Sequence, residues 1–232
     1  MPGARARHLA FIQKKVLIMY IITKKVRLVA APEPVVSGSS LLLRVPDDPP
    51  VYKFFRGVRA VSSPVATVDW GDGVIEEVPS LTDRTHAYAA PGDYLVRFSD
   101  DFRSIRPSGM GAVGSHYLLQ VRAFASSAAK LTELSTGCFR FCANLTSVDV
   151  AAAGIVKLGA SAFEGCTALT GCVALPKVTT VEGDEEGLPF EGCDALEEIR
   201  FSAVYEAEIK ASAAYRASPS LGASNATVIF SL

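Results

Sequence analysis

The chain has 232 residues, enough for one large domain or two ordinary ones, and 49% of them are hydrophobic, which allows a packed core and argues against wholesale disorder. The formal charge of −1 hides an uneven distribution: residues 1–27 hold seven Lys and Arg and no acid, leaving 16 bases against 24 acids, a net of −8, in the remainder. A body that acidic argues against nucleic acid as a partner.

In the basic leader, the apolar run from Val16 to Ile22 is far short of the roughly 20 residues that cross a bilayer. Lys14 and Lys15 precede it, but Lys24, Lys25 and Arg27 follow, where an export signal needs small neutral residues. The expectation is a strand behind a loose basic leader, with a start at Met19 and a poor export signal as the alternatives. No other segment approaches spanning length, so no membrane insertion is expected.

Residues 28–105 read as short strands separated by turns. Leu41 to Val45 and Tyr52 to Val61 are apolar-rich and flank the breaker Pro46-Asp-Asp-Pro49-Pro50. Val65 to Trp70 runs into Gly71-Asp72-Gly73 and restarts at Val74-Ile75, a hairpin signal. Pro91-Gly92 then turns the chain into a strand in which Tyr94, Val96 and Phe98 share a face. Such a series implies an antiparallel, immunoglobulin-like β-sandwich. Trp70-Gly-Asp-Gly73 followed by His86-Ala-Tyr88-Ala-Ala-Pro91-Gly92-Asp-Tyr94-Leu-Val96 resembles the PKD-type β-sandwich module. Residues 106–116, rich in Gly and Ser, are expected to be the junction.

From 117 to 232 the sequence repeats. Phe139-x-x-Cys142-x-x-Leu145, Phe163-x-x-Cys166-x-x-Leu169 and Phe190-x-x-Cys193-x-x-Leu196 recur at steps of 24 and 27 residues, and a degenerate fourth copy starts 25 further on at Tyr215. A turn of about 25 residues cannot bury its own apolar face, so turns must stack, like residue above like. Leu118 to Phe124 is expected to be the first strand or an N-terminal cap. Leu145 to Val150 and Leu196 to Phe201 should be half-buried strands, with Ile155 to Gly159 returning the chain.

Ala162-Phe163-Glu-Gly-Cys166-Thr-Ala-Leu169, ending at Leu175-Pro176, and Pro189-Phe190-Glu-Gly-Cys193-Asp-Ala-Leu196 resemble the BspA-type leucine-rich repeats of bacterial surface proteins. The fold expected is therefore mainly β with few short helices: a PKD-like sandwich followed by a short leucine-rich-repeat solenoid with a C-terminal cap. The resemblance implies an extracellular or cell-surface setting.

The five cysteines lack the tight paired spacing of a zinc site, and an odd count argues against a complete disulfide framework. Cys142, Cys166 and Cys193 are expected as buried, inert rungs. Cys138 and Cys172 are extra to the repeat; if Cys172 lies one turn along from Leu145 to Val148, it replaces an apolar strand residue rather than forming a bridge. Trp70, the only tryptophan, reads as a core plug, with a surface platform for sugar as the alternative. Asp69 and Asp72 suit turns whose carboxylates bond nearby amides better than a calcium site, which takes about six to eight oxygens. His86, with Asp83 and Asp93 near it in sequence, reads as a hydrogen-bonding strand residue, since no G-x-S-x-G nucleophile accompanies it. His8 and His116 fall in the leader and the junction, and the sequence identifies no partner for either. Glu182, Asp184, Glu185, Glu186 and Glu191 form an acidic patch, read as a solvated loop or as a docking point for a basic partner.

No catalytic, cofactor or metal residue is expected. A protein-binding or adhesion module, recognising a host or other cell-surface protein through the repeat face, is the leading reading. A subunit of a larger envelope or phage-related assembly is the runner-up, and a glycan-binding accessory module is a further alternative.

Overall fold

The computed structural model describes residues 39–46, 53–55, 58–60, 66–78, 84–98, 102–105, 115–122, 132–184 and 187–231. The chain divides into residues 1–35 and a compact unit, Val36–Leu232, to which every described residue belongs. The expectations for the basic leader, the run from Val16 to Ile22 and Met19 therefore lie outside the described residues, as do those for His8, Asp83, Glu185 and Glu186.

The described chain is mainly β with a few short helices. Its first half holds β1 (Ser39–Val45), β2 (Lys53–Phe55), β3 (Val58–Ala60), β4 (Ala66–Asp69), β5 (Ile75–Val78), β6 (Arg84–His86), β7 (Gly92–Phe98) and β8 (Phe102–Ile105). Period-two alternation sorts β1: Leu41, Leu43 and Val45 are buried while Arg44 is exposed. β1 lies antiparallel to β7, with Leu41 opposite Val96 and Leu43 opposite Tyr94. β4 and β5 form the hairpin expected around Gly71-Asp72-Gly73, where Gly71 and Gly73 take the positive φ angles of 82° and 93° that a tight turn demands. β2 pairs with β6 and β3 with β8.

The second half holds β9 (Leu118–Arg122), β10 (Glu133–Leu134), β11 (Ser147–Val148), β12 (Lys157–Leu158), β13 (Gly171–Leu175), β14 (Thr180–Val181), β15 (Leu196–Phe201) and β16 (Thr227–Phe230). Here the pairing is parallel. β10, β12 and β14 make one ladder, and β13, β15 and β16 another. The turns holding β12 with β13 and β14 with β15 thus leave one strand on each ladder, whereas β11, which follows β10, joins β9 instead. The two halves share a sheet of order β11-β9-β1-β7-β4-β5, in which β9 is antiparallel to β1 and parallel to β11. One contiguous core follows, from Leu41, Trp70 and Val96 through Leu118 and Val121 to Phe139, Phe163, Phe190 and Phe201.

Three expectations need correction. Cys172 does not take a buried strand position. A bulge between Gly171, at φ 68°, and Cys172 shifts the register, so Val173 faces Ile199 in the core and Cys172 lies exposed opposite Glu198. Side chains alternate every residue along a strand, so a shift of one exchanges inside for outside. Tyr215 does not begin a fourth copy of the turn. It sits in α2 (Ala213–Ala217), which follows α1 (Glu206–Ala211), and its ring lies 6.2 Å from that of Phe230. Ser212 separates the helices, its Oγ accepting from the Tyr215 amide at 3.1 Å. Finally, His116 does have partners: its carbonyl accepts from Asn144 Nδ2 at 2.7 Å, and its ring lies 4.0 Å from that of Tyr117.

Candidate functional site

Two clusters hold the residues capable of chemistry. The first surrounds the β4–β5 turn. Asp69 Oδ1 accepts from the Gly71 amide at 2.9 Å and Asp72 Oδ1 from the Val74 amide at 3.0 Å, which are the expected turn bonds. The second oxygens are also engaged: Asp69 Oδ2 meets Arg97 Nη1 at 3.2 Å, and Asp72 Oδ2 accepts from His86 Nε2 at 2.7 Å. His86 is therefore paired with Asp72 and not with Asp93. Asp93 instead holds Arg44 through two bonds of 2.8 and 2.9 Å. Hairpin β4–β5 delivers Asp72 to β6, a long-range contact that local spacing could not show.

Rings complete this cluster. Trp70, with no exposed surface, stacks on His86 at 4.6 Å and 7°, so the surface-platform alternative for it does not hold. Tyr88 meets His86 edge-on at 4.7 Å and stacks on Tyr94 at 4.1 Å. The Tyr88 hydroxyl donates to the Trp70 carbonyl at 3.0 Å, and burial, reinforced by the charge of Asp72, pushes its ionisation far above the usual range. A general base must present its nitrogen to a substrate. His86, only 8% exposed, has one nitrogen bound to Asp72 and its ring faces held against aromatic neighbours. The arrangement locks a turn onto a sheet.

The second cluster is the rungs of the parallel stack. Phe139, Phe163 and Phe190 stack at 5.1 and 5.0 Å with interplanar angles of 16° and 5°. Cys166 Sγ donates to the Phe139 carbonyl at 3.1 Å and Cys193 Sγ to the Phe163 carbonyl at 3.0 Å, so each thiol ties its turn to the one before. A hydrogen bond with Cys193 and burial together push the Cys166 thiol well above its ordinary range. Such a thiol is protonated and sealed from reagents. Cys138 and Cys142 are buried too, which leaves Cys172 as the exposed thiol. Among the described residues, no three His, Cys, Asp or Glu side chains converge as a metal ion would require. No helix among them is long and apolar enough to cross a membrane.

On the edge of the stack, two positions past each rung phenylalanine, the backbone is left-handed: φ is 60° at Phe141, 71° at Gly165 and 72° at Gly192. Glycine adopts this freely, whereas an L side chain costs about 1–2 kcal/mol there. Sequence reasoning passed over Phe141, although the Gly-Cys pairs at 165–166 and 192–193 set against Phe141-Cys142 were the available signal. Phe141 is 49% exposed as a residue, and its ring lies on the bare face of Gly165, where an added Cβ would meet Phe141 Cδ1 at 2.7 Å. The Arg140 guanidinium sits 4.7 Å over the ring and is held at 2.6 Å by Glu164. In the acidic loop, Glu182 pairs with Lys157 at 2.7 Å, while Asp184 and Glu191 are exposed.

No protein-family model, no curated protein and no solved structure matches the chain.

Proposed function

We propose that this chain is a non-catalytic recognition module: a short leucine-rich-repeat-like solenoid, headed by a PKD-like sandwich, that binds a protein partner at a cell surface. The observation that carries the reading is the division of labour within each turn. Phe, Cys and Leu at fixed positions are spent on rungs, while the position after each rung phenylalanine, Arg140, Glu164 or Glu191, lies outside the core and carries a charge. A scaffold of this kind holds a broad surface constant while its outward side chains change. The Asp72–His86 pair and the thiols serve packing, which leaves the outer surface as the part able to act on another molecule. The test is capture from surface-protein extracts by the immobilised full chain, with a Phe163→Ala variant, which loses a central rung, as the control. Partners retained by the wild type and lost by the variant support the reading; identical recoveries count against it.

The runner-up, a subunit of a larger assembly, draws on one feature. Among the described residues β16 pairs only with β15, so one side of that ladder ends on an open strand. An assembly subunit associates end to end as concentration rises, whereas a recognition module stays monomeric in light scattering.

A further inference from the structure

We propose that Phe141 is the apolar anchor of a docking surface on the stack edge, and that the segment it takes is extended and cationic. The inference rests on the recognition reading above and assigns it a place and a partner chemistry.

Phe141 occupies a position at which the other two turns use glycine in the same left-handed conformation. A phenylalanine there strains the backbone and leaves a large apolar residue half exposed, neither of which favours folding. Aromatic residues with neighbouring arginines are the side chains that most often carry binding energy at protein interfaces. Here Arg140 and Gly165 already lie against part of the ring, which restrains it before docking and leaves the exposed remainder for a partner.

The charge of the occupant follows from what lies beside the ring. The Phe141 amide donates to the Glu164 carbonyl, and the Gly165 amide to the Glu191 carbonyl, both at 2.7 Å, so these residues follow one another down the edge from Phe141. Glu164 is matched by Arg140, but Glu191 is exposed, and no Lys or Arg occurs anywhere between Lys177 and Arg200. A lysine or arginine laid along this edge would rest its aliphatic stem on the Phe141 ring and bring its charged head to Glu191.

The experiment measures fluorescence anisotropy of a labelled alternating Lys-Leu peptide, and of its Glu-Leu counterpart, on the full chain and on the Phe141→Gly and Glu191→Gln variants. Thermal unfolding is recorded in parallel. The expected result is binding of the Lys-Leu peptide alone, weakened about tenfold in Phe141→Gly. That variant's midpoint should be unchanged or raised, because glycine relieves the strained φ. Equal peptide binding by Phe141→Gly, with a lowered midpoint, would show Phe141 to be a packing residue and overturn the proposal while leaving the recognition reading standing. Binding of neither peptide, or of both alike, also overturns it. Capture of surface proteins by the same wild-type preparation then tells separately whether the recognition reading survives.

Discussion

A single side chain carries different weight in a stack than in an ordinary core. Phe163 touches a like ring above and another below, so its removal breaks two contacts. Phe163→Ala should cost about 3–5 kcal/mol, read as a shift of the urea midpoint, because the rungs on either side are held by their own backbone bonds and collapse poorly into the gap. The thiols give a second expectation. In the native protein iodoacetamide should modify Cys172 alone, and all five cysteines should react in denaturant, counted by intact mass. Burial pushes the Cys172 thiol above its ordinary range, so its alkylation at pH 8 should be slower than that of a free thiol and should still be accelerating at higher pH. Prompt modification of Cys166 or Cys193 would contradict the sealed ladder. At this scale the sequence was informative wherever burial and spacing coincide: Phe139, Cys142, Leu145 and their repeats are all in the core. It was silent on the His86–Asp72 pair, which depends on a hairpin folding over an adjacent strand.

At the level of elements, what remained illegible was register. A single left-handed residue, Gly171, moves β13 by one place and puts a cysteine outside and a valine inside. Composition and period are the same before and after such a slip. The loss of the cysteine after Leu196 was legible, but not the two short helices joined at Ser212 that stand there. Between β1 and β7, Arg44 and Asp93 form an exposed pair directly across the strands. The hydrogen bond from Arg44 holds the Asp93 carboxyl below the usual carboxylate range. A carboxylate whose folded pKa is depressed stabilises the fold above its unfolded value near 4, and that contribution disappears as the pH falls through the folded value. Arg44→Ala should therefore lower the thermal midpoint slightly at pH 7 and leave it indistinguishable from wild type at a pH low enough to protonate Asp93 in the folded state. An equal deficit at both values would trace the effect to lost packing by the arginine stem.

Over the whole molecule, the shared sheet matters most. β9 bonds to β1 on one side and to β11 on the other, and the core is continuous through it. Trp70, the only tryptophan, reports on the first half, whereas far-ultraviolet circular dichroism is weighted towards both. The two signals should trace a single denaturant transition, since neither half can lose its core without exposing the other's. Residues 117–232 alone, which lack β1, should show no cooperative melt, because Leu118 and Val121 are then uncovered. Two separated transitions would mean that β1–β9 pairing is incidental. The sequence suggested a boundary here because residues 106–116 are rich in small turn-formers. Which strand pairs with which is decided by geometry between distant segments, and residue type does not record it.

The parallel stacking of Phe139, Phe163 and Phe190 also constrains how the chain can change length. Each rung meets only its immediate neighbours, so the stack has no global closure to satisfy. Excising the 24 residues from Phe139 up to Phe163 would bring a phenylalanine, a cysteine and a leucine back onto the preceding level, whereas removing half that number would set every later rung on the wrong side. Length in this half of the protein is thus quantised: it can grow or shrink by duplication or loss of whole turns, and only by whole turns.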